Sequence, residues 1–76
     1  LERMGVCRLC VIHRNVPGMI NRILDFVTER NINVEHMINK PRGGYAYTMI
    51  DLGDRIDEDM TNSIRSMDGV LRVRVL

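Results

Sequence analysis

The residues best suited to chemistry lie in one short segment, His13-Arg14-Asn15-Val16-Pro17-Gly18. Histidine and asparagine side chains offer hydrogen-bond donors and acceptors to a polar ligand. Pro17 fits the first position of a helix, because its missing N–H would have no partner there. Val16 then becomes the formal N-cap, and a valine side chain cannot accept hydrogen bonds from the first helical amides. Gly18 would let another molecule approach the backbone closely.

Two interpretations of this segment follow from its residue types, and both stay open. In the first, the free amides at the helix start bind an anion such as a carboxylate, with help from His13 and Asn15. Asn33 lies near the start of the next predicted strand and is a further polar side chain near a sheet edge. In the second interpretation, Asn15 turns back to cap the helix, and His13 and Asn33 are polar surface residues.

Cys7-Arg8-Leu9-Cys10 has the CxxC spacing of redox and soft-metal sites. Residues three apart on a strand point to opposite faces, so the two sulfur atoms should diverge. We therefore expect no metal ligand here. No serine or cysteine has an evident route to His13 with an orienting third group, and no catalytic residue is predicted. The chain by itself is not expected to be an enzyme.

The segment Gly43–Ile50 partly fits the third-strand motif of RNA-recognition domains, through its glycine, Ala46 and two tyrosines. Its first position lacks a basic residue and its last lacks an aromatic one. The chain has 11 Lys and Arg against 10 Asp and Glu, which is not a basic footprint. We therefore expect no nucleic-acid partner. No apolar run approaches the ~20 residues of a membrane span, so no membrane partner is expected either.

The elements that must position these residues follow from hydrophobic periodicity. Strands are predicted over 8–13, 32–40, 45–52 and 70–76, and helices over 17–30 and 57–67. Asn31 is suited to a left-handed helix end, and Asp57 to an N-cap. The order β-α-β-β-α-β predicts an α+β, ferredoxin-like fold in a single domain, 1–76. Its four-stranded antiparallel sheet would carry both helices on one face.

The other face of that sheet should also carry apolar residues. Leu9 and Val11 alternate with Cys10 and Ile12, and both pairs are apolar. The third strand adds apolar residues to either face, whichever register it takes. A domain of 76 residues is marginally stable alone, so a second copy is the simplest partner for this surface.

The chain resembles the ACT domain family, in particular the C-terminal regulatory domains of D-3-phosphoglycerate dehydrogenases. The resemblance extends from about Arg8 to Leu76. It rests on the following segments: His13–Gly18, Glu29–Asn33, Ala46–Asp51, Asp68–Val70 and Arg72–Arg74.

This resemblance implies that the domain senses L-serine or a similar small amino acid in serine biosynthesis. Two domains would pair side by side into one eight-stranded sheet, with the effector at their interface. The implied effector-binding residues are His13, Asn15, Pro17 and Gly18 of one chain and Asn33 of the other. The domain needs no cofactor, whereas the parent cytoplasmic dehydrogenase carries NAD and the catalytic residues in upstream domains. The alternative is a ligand-free structural dimerisation module of the same enzyme.

Overall fold

The computed structural model describes residues 6–76, and the predicted β-α-β-β-α-β order is confirmed. The strands are β1 (Cys7–Arg14), β2 (Val34–Arg42), β3 (Tyr45–Leu52) and β4 (Val70–Val75), and the helices are α1 (Met19–Thr28) and α2 (Glu58–Arg65). The first five residues of the predicted domain 1–76 lie outside the described residues. Within residues 6–76, no helix is long and apolar enough to cross a membrane.

The four strands form one antiparallel sheet in the order β2-β3-β1-β4, so β2 and β4 are its edges. Two glycines, Gly43 and Gly44, connect β2 to β3, and Gly43 has a positive φ of 60°. Tight hairpin turns require such left-handed backbone, which glycine adopts without a steric penalty. The register of the two central strands pairs His13 with Ala46, at one end, and Cys7 with Leu52, at the other.

Both helices pack on the same face of the sheet, as predicted. Leu9 and Val11 of β1 are fully buried in one core with Ile23 of α1 and Ile64 of α2. Burying a side chain of this size contributes about 1.5–3 kcal/mol relative to leaving it exposed. Because the helices cover this face alone, Cys10 and Ile12 lie on the opposite face, which we call the open face.

The start of α1 differs from the prediction. The helix begins at Met19, after Gly18 in a left-handed conformation with φ 83° and ψ −7°. The Met19 N–H donates to the Val16 carbonyl at 3.3 Å, which closes a β-turn over Val16–Met19. A β-turn with proline at its second position and glycine at its third, where φ is about +80° and ψ about 0°, is a type II turn. Pro17 is therefore not the first helical residue, and the predicted N-cap, Val16, is wrong.

The other element ends differ from their predicted positions by at most two residues. Assigned helix and strand ends commonly vary by that amount. Asn31 has φ 60° just after α1, as predicted for a left-handed helix end. Asp57 caps α2 as predicted, because its carboxylate accepts the Met60 N–H at 2.8 Å.

Candidate functional site

The turn over Val16–Met19 leaves the start of α1 open. No side chain among the described residues caps this helix, and Pro17 and Gly18 are exposed. Asn15 does not turn back to the helix: its side chain donates to the Gly43 carbonyl at 3.4 Å, and its N–H donates to the Gly44 carbonyl at 2.9 Å. The self-capping interpretation is therefore wrong. Instead, Asn15 joins this corner to the β2–β3 turn.

His13 is not a surface residue, because only 1% of it is exposed. Its Nδ1 lies 2.9 Å from the Arg14 carbonyl oxygen, and its Nε2 lies 2.7 Å from the Thr48 hydroxyl. The Thr48 hydroxyl also lies 2.9 Å from the side-chain oxygen of Asn39. A series of hydrogen bonds, fully buried between His13 and Thr48, thus runs from the corner after β1, across β3, to the edge strand β2.

Few hydrogens are available to these hydrogen-bonded groups, so the role of each group as donor or acceptor depends on its neighbours. Nδ1 of His13 faces a carbonyl oxygen, so it must be a donor. The single hydroxyl hydrogen of Thr48 can go to Nε2 of His13 or to the Asn39 oxygen, but not to both. A neutral His13 therefore requires Asn39 to turn its amide, so that the NH₂ group donates to Thr48. Amide orientation in such networks is assigned from the hydrogen bonds themselves.

Asn33 lies apart from the other predicted site residues. It precedes β2 and its carbonyl accepts the Gly53 N–H at 2.9 Å. The next residue, Val34, pairs with Leu52, which also pairs with Cys7, six residues before His13 on β1. At about 3.3 Å per residue, this places Asn33 roughly 20 Å along the sheet from the corner. One chain brings together His13, Asn15, Pro17 and Gly18, but not Asn33.

Reasoning from the sequence missed Thr48 and Asn39. Thr48 is fully buried, and a buried hydroxyl needs hydrogen-bond partners. The sequence does indicate that Thr48 lies on the opposite face of β3 from Tyr47 and Met49. It does not indicate which of these two faces packs against the core. The register pairing Val11 with Thr48, and Thr48 with Asn39, decides it.

The two cysteines diverge as expected. Cys7 is part of the core beneath the helices, whereas Cys10 lies on the open face, and both are free. On that face the pKa of Tyr47 is raised, first by hydrogen bonding to Cys10 and then by partial burial. In the described part of the chain, no group of three His, Cys, Asp or Glu residues could hold a metal ion.

Comparison with known families matches the ACT domain to residues 9–69. D-3-phosphoglycerate dehydrogenase of Haemophilus influenzae is 30% identical over 77 residues, covering 99% of this chain and 18% of that protein. A UPF0735 ACT domain-containing protein of Caldicellulosiruptor saccharolyticus is 28% identical over 83 residues, covering 99% of this chain and 53% of its own length. The chain thus spans about a fifth of the length of the dehydrogenase and about half of the length of the UPF0735 protein.

Solved structures with the same fold include the ACT domain of GTP pyrophosphokinase from Chlorobium tepidum, with a TM-score of 0.71 and 16% identity. That alignment covers 95% of this chain and 97% of the other. The C-terminal domain of MgtC from Mycobacterium tuberculosis also aligns with a TM-score of 0.71 and 16% identity, over 100% of this chain and 92% of the other. At these identities the likeness concerns the fold alone.

Proposed function

Since the chain belongs to the ACT domain family, a family of small-ligand regulatory domains, we propose that it binds L-serine or a similar small amino acid as a feedback effector. The observation that carries this proposal is the open corner: a type II turn, exposed Gly18 and an uncapped α1 beside the side chain of Asn15. The dehydrogenase relative supports serine as the effector, because serine would be the end product of such an enzyme's pathway.

The ligand's carboxylate would lie at the start of α1. Helix N-termini bind anions because their first N–H groups lack intrahelical partners and carry a partial positive charge. Glycine at position 18 leaves open space there, since a Cβ added to it would meet nothing within 4 Å. The ammonium and hydroxyl groups of serine also need partners once water is removed. Asn15 can serve one of them, and His13 supports the corner from beneath.

The remaining partner in this proposal is Asn33 of a second copy. β2 is an edge strand, and its outer side has no strand partner among residues 6–76. Two β2 strands paired antiparallel about Ile38, the middle of the strand, would form an eight-stranded sheet. That pairing sets Asn33 of one copy opposite Gly43 of the other, next to Asn15. Each effector site would then be completed across the dimer interface.

The parent protein in this proposal is an NAD-dependent, cytoplasmic phosphoglycerate dehydrogenase whose catalytic domains precede this one. An effector that bridges two chains favours one interface geometry over another. The effector can shift the equilibrium between two conformations of the parent enzyme only by the difference between its binding free energies for them, typically about 1–3 kcal/mol.

Isothermal titration calorimetry of the 76-residue chain with L-serine tests the proposal. We expect saturable heat, lost in Asn15→Ala and in Asn33→Ala. Asn62→Ala is the matched control, because Asn62 is an exposed asparagine on α2 whose side chain accepts a hydrogen bond from Arg65, away from the corner. Absence of heat at millimolar serine, or an Asn33→Ala variant that binds like the parent chain, would count against it.

A ligand-free dimerisation module is the second candidate. The arrangement of His13 favours it, because both ring nitrogens already have internal partners and the residue is buried. A thermal-shift screen against the twenty amino acids separates the two candidates. A stabilised dimer with serine supports the sensor, whereas a dimer whose melting temperature ignores every amino acid supports the structural module.

A further inference from the structure

The open face carries an aromatic and apolar centre between two rows of cations. The strand register sets one row across the whole sheet, Lys40, Tyr47, Ile12 and Arg72. The next row begins with Arg42 and Tyr45 and ends with Arg14. Tyr45 is 49% exposed and Tyr47 39%, so both rings are accessible from solvent.

Charge is distributed unevenly between the two sides of the molecule. The register places six basic side chains on the open face: Arg8, Arg14, Lys40, Arg42, Arg72 and Arg74. It places one carboxylate there, Asp51, which is paired with Arg8 at 2.7 Å. No salt bridge to the other five cations is found among residues 6–76. A chain with nearly balanced charge thus presents a strongly positive face.

Two depressions adjoin each other on this face. The larger, about 470 Å³, is lined by Ile12, Lys40, Arg42, Tyr45, Ala46 and Tyr47. The smaller, about 110 Å³, is lined by Cys10, Ile12, Tyr47, Arg72 and Arg74. Tyr47 and Ile12 line both, so they stand between two recesses that each contain a pair of cations.

We propose that the open face binds single-stranded nucleic acid, with bases on Tyr45 and Tyr47 and phosphates on the flanking arginines and Lys40. Every base has a flat face that stacks on an aromatic ring, and basic side chains bind the phosphates. The cations of β2 and β4 are separated by three strand spacings, about 14 Å in all. One nucleotide engages one flank, whereas a strand of several nucleotides crosses the face and reaches both.

Other occupants fit this surface less well. A second copy placed face to face would oppose cations with cations, which is repulsive. A lipid bilayer is flat and would leave both depressions unfilled. The expectation of no nucleic-acid partner came from the incomplete RNA-recognition motif and from the net charge of the whole chain, and that net charge conceals how the fold sorts the charges.

The test measures fluorescence anisotropy of a labelled oligouridine titrated with the 76-residue chain at low and raised salt. We expect affinity to fall linearly on a log–log plot against salt, as phosphate contacts require. Tyr47→Ala should weaken binding roughly five- to 150-fold, the range of one lost base stack. Tyr47→Phe loses the hydroxyl but keeps the ring, so it should bind like the parent chain.

Two charge variants complete the design. Arg72→Glu with Arg74→Glu should weaken binding and flatten the salt dependence, whereas Arg55→Glu, in the loop after β3, should change neither. Absence of binding up to about 100 μM chain, the weak limit of non-specific affinity, would overturn the proposal. So would equal capture of inorganic polyphosphate with no effect of Tyr47→Ala. Binding to phosphatidylserine vesicles but not to oligouridine would overturn it as well.

Discussion

Nε2 of His13 lies 2.7 Å from the hydroxyl oxygen of Thr48, on the side of the sheet that the helices cover. This contact connects the effector corner to the centre of β3, and the bond from Thr48 to Asn39 continues it to the edge strand β2. The proposed effector site and the proposed dimer edge are therefore joined by buried polar groups. Because Thr48 has a single hydroxyl hydrogen, the group of Asn39 that faces Thr48 depends on whether Nε2 of His13 accepts or donates.

Replacing Thr48 with valine should destabilise the chain by about 1–3 kcal/mol. Valine keeps the shape but removes the hydroxyl, which leaves the buried Nε2 of His13 and the side-chain amide of Asn39 without this partner. Urea denaturation measures the loss. Thr28→Val is the control, because Thr28 is exposed and a surface substitution is typically within ~0.5 kcal/mol of neutral. Equal stability of the two variants would contradict a structural role for the Thr48 hydroxyl.

The neutral ring of His13 should carry its hydrogen on Nδ1. This nitrogen lies 2.9 Å from the Arg14 carbonyl, which can only accept. Two-bond ¹H–¹⁵N correlation spectra distinguish the two tautomers directly, with His36 as the internal reference. The same assignment should persist in Asn39→Ala, since the Arg14 carbonyl remains. An Nε2–H tautomer in the parent chain would show that this account of the hydrogen bonds is wrong.

Gly18→Ala should destabilise the chain by about 1–2 kcal/mol, the cost of a left-handed backbone for a residue with a Cβ. The position has φ 83°, and the new methyl group would meet nothing within 4 Å, so backbone strain is the whole cost. Gly44→Ala is the matched control, because it has equal space and no positive φ. Melting temperatures measure both. A larger loss in Gly44→Ala than in Gly18→Ala would contradict the type II turn.

Periodicity predicted the element order and the bounds of β3, because the segment from Tyr45 to Leu52 is rich in aromatic and β-branched residues and is bounded by glycines. The start of α1 was harder, since Pro17-Gly18 fits both a helix start and a type II turn, and hydrogen bonding to Val16 decides between them. The separation of Asn33 from the corner depends on register, which the residue types on β2 leave undetermined. The positive open face was missed because a net charge does not record which side of a sheet each residue faces.

Tyr47 should give the chain a pH dependence in the alkaline range. The bond to Cys10 and partial burial favour its neutral form and raise its pKa above the ordinary 10.0. A group whose pKa is raised on folding stabilises the chain fully below its unfolded pKa, and this contribution is lost as the pH rises through the folded value. The contribution of Tyr47 to the free energy of unfolding is therefore present below pH 10.0 and declines above it.

Ultraviolet absorbance titration of a Tyr45→Phe chain, which leaves Tyr47 as its single tyrosine, measures this pKa directly. Adding Cys10→Ala should lower the midpoint toward the ordinary value, because it removes the largest cause of the shift. Adding Cys7→Ala should leave the midpoint unchanged, since Cys7 lies in the core on the opposite face of the sheet. If Cys10→Ala and Cys7→Ala titrate alike, hydrogen bonding to Cys10 is not the cause of the raised pKa of Tyr47.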